Sequence, residues 1–264
     1  MNRITPILFF KNIWQYRELM MALLRKDISA RYKQSVLGPA WALFQPVVLM
    51  GLFTIIQVFL NIPSEGIPYP IFVYSALLPW TFFSNSILYS TSSIVSNSQI
   101  IRKIYFPREI FPFSAGLAST FDFCMASIVY VALMLYYGIG VSYSLLLLPI
   151  LLVIQIALAL GISLLTSSIA VFRRDIMHAM PVLLQFWMFM TPVMYPLSTV
   201  PEKYRGIYML NPMAGIIDAY RSILVKQSFP DAQPLLYAIL GASAVFVAGL
   251  FVFKKLEMKF ADVV

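Results

Sequence analysis

From Ile110 to Phe172 the chain reads IFPFSAGLASTFDFCMASIVYVALMLYYGIGVSYSLLLLPILLVIQIALALGISLLTSSIAVF, and Asp122 is its only charged residue. A membrane-spanning helix needs roughly 20 apolar residues, each rising 1.5 Å. The stretch is long enough for two. It breaks at Gly138-Ile139-Gly140-Val141-Ser142, where two glycines and a serine suit a tight turn. Two spans are therefore expected here, at 112–137 and 145–172.

The same pattern extends outward. No Asp, Glu, Lys or Arg occurs from Gln34 to Ser64, Gly66 to Ile101, Ile176 to Pro201 or Ala232 to Phe253. Each gap holds one span, at 34–60, 70–95, 177–196 and 233–253. The expectation is an all-α integral membrane protein with six transmembrane helices in a single domain, 1–264. Composition agrees: 60% of the 264 residues are hydrophobic and 11% charged, with mean hydropathy +0.82. A soluble domain carries about 25% charged residues.

A net charge of +8 would suit a nucleic-acid partner if it were gathered on a soluble face. Instead the cations sit between spans. Arg3, Lys11, Arg17, Arg25, Lys26, Arg31 and Lys33 precede the first, and Arg102, Lys103 and Arg108 follow the second. Arg173 and Arg174 follow the fourth, and Lys254, Lys255 and Lys259 end the chain. Basic residues favour the cytoplasmic side, so this pattern puts both termini in the cytoplasm. The first 30 residues are too charged for a cleavable secretory signal. The single cysteine, Cys124, excludes an intrachain disulfide framework.

The connections carry their own patterns. Tyr16, Met20, Leu24, Ile28 and Tyr32 recur every four residues, so 12–33 reads as an amphipathic helix suited to the plane of the membrane interface. A plain basic flank that fixes topology is the other reading. Ser96, Asn97 and Ser98 are N-cap types, followed by Ile100, Ile101, Ile104 and Tyr105 at helical spacing and stopped by Pro107. That predicts a short helix over 96–106 against the cytoplasmic face. Between 197 and 232, Pro201, Pro212 and Pro230 bound apolar pieces too short to span. They suit re-entrant or interfacial helices, or an ordinary external loop. Asp218 and Arg221 are spaced to pair on one helix face.

Catalytic groups are scarce. His178 is the only histidine and has no Cys or His partner for a zinc site. Gly-Lys occurs nowhere, so the chain has no P-loop, and any ATP-driven step needs a separate ATPase. Asp122 stands alone at membrane depth, where an ionised acid costs roughly 2.5–3.5 kcal/mol to insert. Structural hydrogen bonding and a functional role, such as ion coupling, are both open to it. Trp41 with Phe44, and Phe186 with Phe189, are aromatic pairs three residues apart. Such rings stack on sugar C–H faces or simply pack in helices and lipid.

Five motifs in order give a resemblance. Leu24-Arg25-Lys26-Asp27 with Arg31-Tyr32, Ser35, Leu37-Gly38-Pro39 and Trp41 resembles the N-terminal signature of polysaccharide-type ABC exporter permeases. That family moves O-antigen, capsular polysaccharide or teichoic acid. Arg102-Lys103-Ile104-Tyr105-Phe106-Pro107-Arg108-Glu109-Ile110-Phe111-Pro112 is similar to its second cytoplasmic motif. Phe172-Arg173-Arg174-Asp175-Ile176, Thr191-Pro192-Val193-Met194-Tyr195-Pro196 and Leu210-Asn211-Pro212 match further stations.

The resemblance implies a non-enzymatic homodimer in the bacterial cytoplasmic (inner) membrane. It would bind two copies of an ABC ATP-binding subunit, which would hold ATP and Mg, and it would move a lipid-linked glycan. It implies that Ile100, Ile101, Arg102, Lys103, Ile104, Tyr105 and Phe106 form the coupling helix. An interface helix with Arg25, Asp27, Arg31 and Tyr32 would lie beside it. Trp41, Phe44, Phe186 and Phe189 would face the substrate path, and 197–232 would form an external gate. Export of a drug or small lipid is the nearest alternative.

Overall fold

The computed structural model describes residues 12–103 and 106–260, and every element among them is helical. A helical stretch at 12–15 leads into α1 (Arg17–Tyr32). Then come α2 (Trp41–Leu60), α3 (Tyr69–Ser96), the short α4 (Ser98–Lys103), α5 (Ile110–Tyr137) and α6 (Leu148–Phe172). The chain closes with α7 (Asp175–Phe189), α8 (Glu202–Tyr208), α9 (Pro212–Leu224) and α10 (Ala232–Glu257). The break expected at Gly138 is there. Gly138 takes the left-handed conformation (φ 66°) that ends α5, and its N–H bonds back to Leu135 O.

Five helical segments are long and apolar enough to cross a bilayer: Gly38–Leu60, Tyr69–Ser96, Ile110–Tyr137, Tyr143–Phe172 and Ala232–Glu257. The expected span at 177–196 differs. Its helix, α7, has 15 residues, about 22 Å at 1.5 Å per residue, short of the roughly 30 Å hydrocarbon core. The reason is local: Pro192 and Pro196 cannot continue a helix, and the chain turns from Met190.

Contacts nevertheless trace this passage from one end of the bundle to the other. At one end Leu23, Ile94, Ile110, Val171, Phe253 and Phe260 share a core, and α7 starts just beyond it. At the far end Tyr69 Oη donates to Met194 O at 2.9 Å, and Ser198 Oγ donates to Glu65 Oε1 at 2.7 Å. The loop after α7 has therefore reached the far end.

α3 is the central helix, packed by α2, α5, α6, α7 and α9 and buried along most of its length. In lipid, apolar burial discriminates weakly between partners, and close packing with hydroxyl hydrogen bonds takes over. Accordingly Ser86 and Ser90 donate to the Gly116 and Pro112 carbonyls, Thr91 bonds Thr166 at 2.8 Å, and Tyr74 donates to Ala126 O at 2.9 Å. α6 and α10 meet at two glycines. A Cβ on Gly161 would stand 2.7 Å from the Val245 carbonyl group, and one on Gly249 would collide with the Gly161 carbonyl. By contrast, α2 buries only Pro46 and Phe53.

Candidate functional site

Three polar assemblies sit along the bundle. At the end carrying both described termini, the expected coupling segment is the six-residue α4. Ile104 and Tyr105 lie outside the described residues. Arg102 and Lys103 close the helix. Ile101 and Phe106 are buried against Leu23, Ile94 and Phe111. Two apolar residues of the expected coupling run 100–106 therefore anchor it to the rest of the permease.

The segment's exit is clamped by residues the sequence did not single out. Glu109 is fully buried; Lys254 Nζ lies 2.7 Å from it and 2.9 Å from Glu257. Asn12 Nδ2 donates to Glu109 at 2.9 Å, and Arg108 donates to Glu257 O at 2.6 Å. Three chain regions thus hold the segment's exit. The sequence signal was available: Glu109, Lys254 and Glu257 are charges beside apolar spans.

The second assembly corrects the picture of Asp122 as a lone acid. α1 climbs along α5 instead of lying only across the bundle's end: Asn12 meets Glu109, whereas Arg31, about five turns later, meets Asp122. Arg31 Nη1 donates to Asp122 Oδ2 at 2.7 Å, and Nη2 to Ala115 O at 3.0 Å. Tyr32 Oη donates to the other carboxylate oxygen, and the guanidinium lies over the Tyr89 ring at 3.6 Å. Only 9% of the Arg31 side chain and 11% of that of Asp122 are exposed. Beside the pair is a cavity of about 140 Å³ between α1, α2, α3 and α5. The remaining interface-helix residues differ: Arg25 is exposed, and burial pushes the Asp27 carboxyl above its usual range, opposed by Lys26 and Arg31.

The third assembly supports the turn after α7. Asn211 caps α9 by accepting from Met213 N–H, accepts from Trp187 Nε1 at 3.0 Å and donates to Thr191 Oγ1 at 2.9 Å. Two of the sequence motifs therefore meet in one hydrogen-bonded knot. Arg221 is fully buried. It donates to the Val193 and Tyr195 carbonyls at 2.5 and 2.9 Å and lies over Phe72 at 3.9 Å. The expected Asp218–Arg221 ion pair is not formed, because irregular carbonyls compete for the guanidinium. Every residue of α9 is buried. Glu65 accepts from Lys226 at 2.8 Å and from Ser198. Burial alone would raise the Glu65 carboxyl, but these hydrogen bonds and the charges of Lys226 and Arg221 outweigh it and hold the group below its usual range.

The aromatic pairs are on the surface of the single chain. Trp41 and Phe44 are edge-to-face at 5.5 Å, on α2, and both are about half exposed; Phe186 and Phe189 on α7 are exposed as well. The two pairs do not touch one another among the described residues. Among those residues no three His, Cys, Asp or Glu side chains gather to hold a metal.

This helical architecture has relatives. Residues 18–225 match the model of the ABC-2 type transporter membrane domain. The chain belongs to that family. Over 256 residues this ABC-2 permease is 30% identical to the O-antigen export system permease protein RfbA of Myxococcus xanthus, covering 96% of this chain and 97% of the relative. A Klebsiella pneumoniae protein of the same name is 29% identical over 254 residues, with the same coverage. The polysialic acid transport protein KpsM of Escherichia coli is 23% identical over 245 residues, 89% of this chain and 92% of that one. The ABC-2 permease is a multi-pass membrane protein.

Proposed function

We propose that this chain is the membrane subunit of an ATP-driven exporter that carries lipid-linked polysaccharide from the cytoplasmic to the outer face of a bacterial inner membrane. The observation that carries it is near end-to-end similarity to permeases named for O-antigen export and polysialic acid transport. Two permease copies work with two copies of a separate ABC subunit, which binds and hydrolyses Mg-ATP. α4 and the loop after it receive the ATPase stroke, and the Glu109–Lys254–Glu257 clamp passes it to α1 and α10. α7 with its following loop makes a sixth crossing, so both termini are cytoplasmic. α9 enters from the outer side without crossing, as part of an external gate.

The little-buried α2 and the exposed rings of α7 form the wall of a path between two copies. Trp41, Phe44, Phe186 and Phe189 let sugar faces slide past without a fixed hydrogen bond to break. The Arg31–Asp122 pair speaks against an ion-coupled carrier, because both carboxylate oxygens are engaged by Arg31 and Tyr32 in a contact that joins α1 to α5. In cells deleted for this protein, lipid-linked glycan should accumulate on the cytoplasmic side. Normal polymer at the surface of that strain overturns the proposal, and accumulation of a small lipid in place of glycan moves the cargo class.

A further inference from the structure

The cavity beside Arg31 and Asp122 has a chemistry that helix packing does not require. Gln45 at its mouth and Asn85 on its wall have no hydrogen-bond partner among the described residues. Arg31, nine-tenths buried, lines the same cavity, and its Nε–H is buried without an acceptor. An unpaired polar group away from water costs free energy comparable to a lost hydrogen bond, more so at membrane depth. The Arg31 Nε–H is such a group, and the exposed Gln45 and half-buried Asn85 add free amides to the same lining, so the cavity suits a polar occupant. Trp41 and Tyr89 supply ring faces on the same lining.

We propose that this cavity is a binding site for one uncharged sugar residue of the cargo, a reading that rests on the glycan-export function proposed above. The ring faces suit sugar C–H surfaces. Gln45 and Asn85 each offer a donor and an acceptor to hydroxyls, and Asp122 keeps a second lone pair on each oxygen. The charge argument selects the ligand class. Arg31 is already matched by Asp122, so the site offers a phosphate no net attraction, whereas hydroxyls bond to both members without disturbing their neutrality. The cavity lies next to Trp41, the first ring of the proposed path. It would hold the glycan where the chain enters.

The test uses the full-length permease with its ATPase in cells whose lipid-linked glycan is labelled with a radioactive hexose. A photoreactive benzoylphenylalanine replaces Gln45 or, in a separate strain, Phe186. Illumination should attach labelled glycan through position 45. Adding Asn85→Leu, or Asn85→Ala where the leucine variant inserts poorly, should cut that yield about fivefold, the usual weight of one hydrogen bond. The same change should leave the yield at position 186 as it was. Glycan captured at 186 but not at 45 overturns the sugar site and keeps the export function. Yield at 45 undiminished by either Asn85 variant also overturns it, as does phospholipid captured there in place of glycan. Capture at neither position in well-inserted protein removes the path and the site together.

Discussion

At Asp122 the balance of energies is decided by its neighbours. A carboxylate at this depth is expensive alone, yet it meets Arg31 at 2.7 Å and the Tyr32 hydroxyl. Breaking one partner of a buried pair costs about 3–5 kcal/mol, because the other charge is left unmatched, while replacing both with apolar groups is often neutral. Asp122→Asn should therefore lower the thermal midpoint of the purified permease substantially. The double variant Arg31→Met, Asp122→Leu should recover most of the loss. Equal damage in single and double variants would mean that the pair is not what the site is built on. The sequence could not show the partner of Asp122, because Arg31 is 91 residues away in the chain and stands among the basic residues before the first span. Arg221 was hidden for a different reason. Its acceptors are backbone carbonyls, which every residue has, so composition carries no signal of them.

Glu65 gives a second test at the same scale, with a definite sign. Its carboxyl is held below the usual range, so the Lys226 and Ser198 contacts stabilise the folded form above its unfolded value, near pH 4.3. That contribution is lost as pH falls through the lower folded value. Hydrogen-exchange protection factors at 62–68 and 196–200, corrected for the intrinsic pH dependence of exchange, should thus fall in wild type only in acid, whereas Glu65→Gln should show protection lower by up to about fivefold already at pH 7. The pair is part-exposed, so the stability change should stay under about 1 kcal/mol. A neutral-pH exchange pattern unchanged by Glu65→Gln would show that the loops are held by Arg221 and Asn211 alone.

Among the elements, charge-free length identified α2, α3, α5, α6 and α10, because hydrocarbon thickness imposes the same minimum on every span. At α7 the charge-free length exceeds the helix, because Pro192 and Pro196 keep the regular structure to 15 residues. Such a shortened helix needs donors for the irregular backbone that follows, and Arg221, Tyr69 and Asn211 provide them. Contact between elements was also outside the reach of periodicity. The α6–α10 crossing rests on Gly161 and Gly249, where even a methyl group meets backbone, and backbone cannot yield as a flexible side chain can. Gly249→Val should separate these helices and sharply reduce the yield of folded permease in detergent. Gly51→Val, at a helix position with open space around it, should cost far less. Comparable loss at both positions would show that β-branching in a span, and not the crossing, is responsible.

For the whole molecule the decisive quantity is parity. Five crossings would put the termini on opposite sides of the membrane; six put them together. α7 alone falls short of the hydrocarbon thickness, but its continuation meets Glu65 and Tyr69 at the same end of the bundle as the α2–α3 loop. The last helix then returns to the end where Phe260 packs on Phe253 and Phe172. The sixth crossing proposed above agrees with these contacts, since the ends of helices that pack together share depth. The basic residues point the same way, gathering at the end that carries the termini. In a Cys124→Ser background, cysteines at Glu65 and Lys203 should therefore react with an impermeant thiol reagent in intact cells. Cysteines at Arg174 and Lys259 should react only after the cells are opened. Labelling of Lys259→Cys from outside, with Arg174→Cys protected, would leave α7 on the cytoplasmic side of its turn. The external gate, the sixth crossing and the shared side of the termini would then fall together, because all three depend on the passage from Asp175 to Pro196.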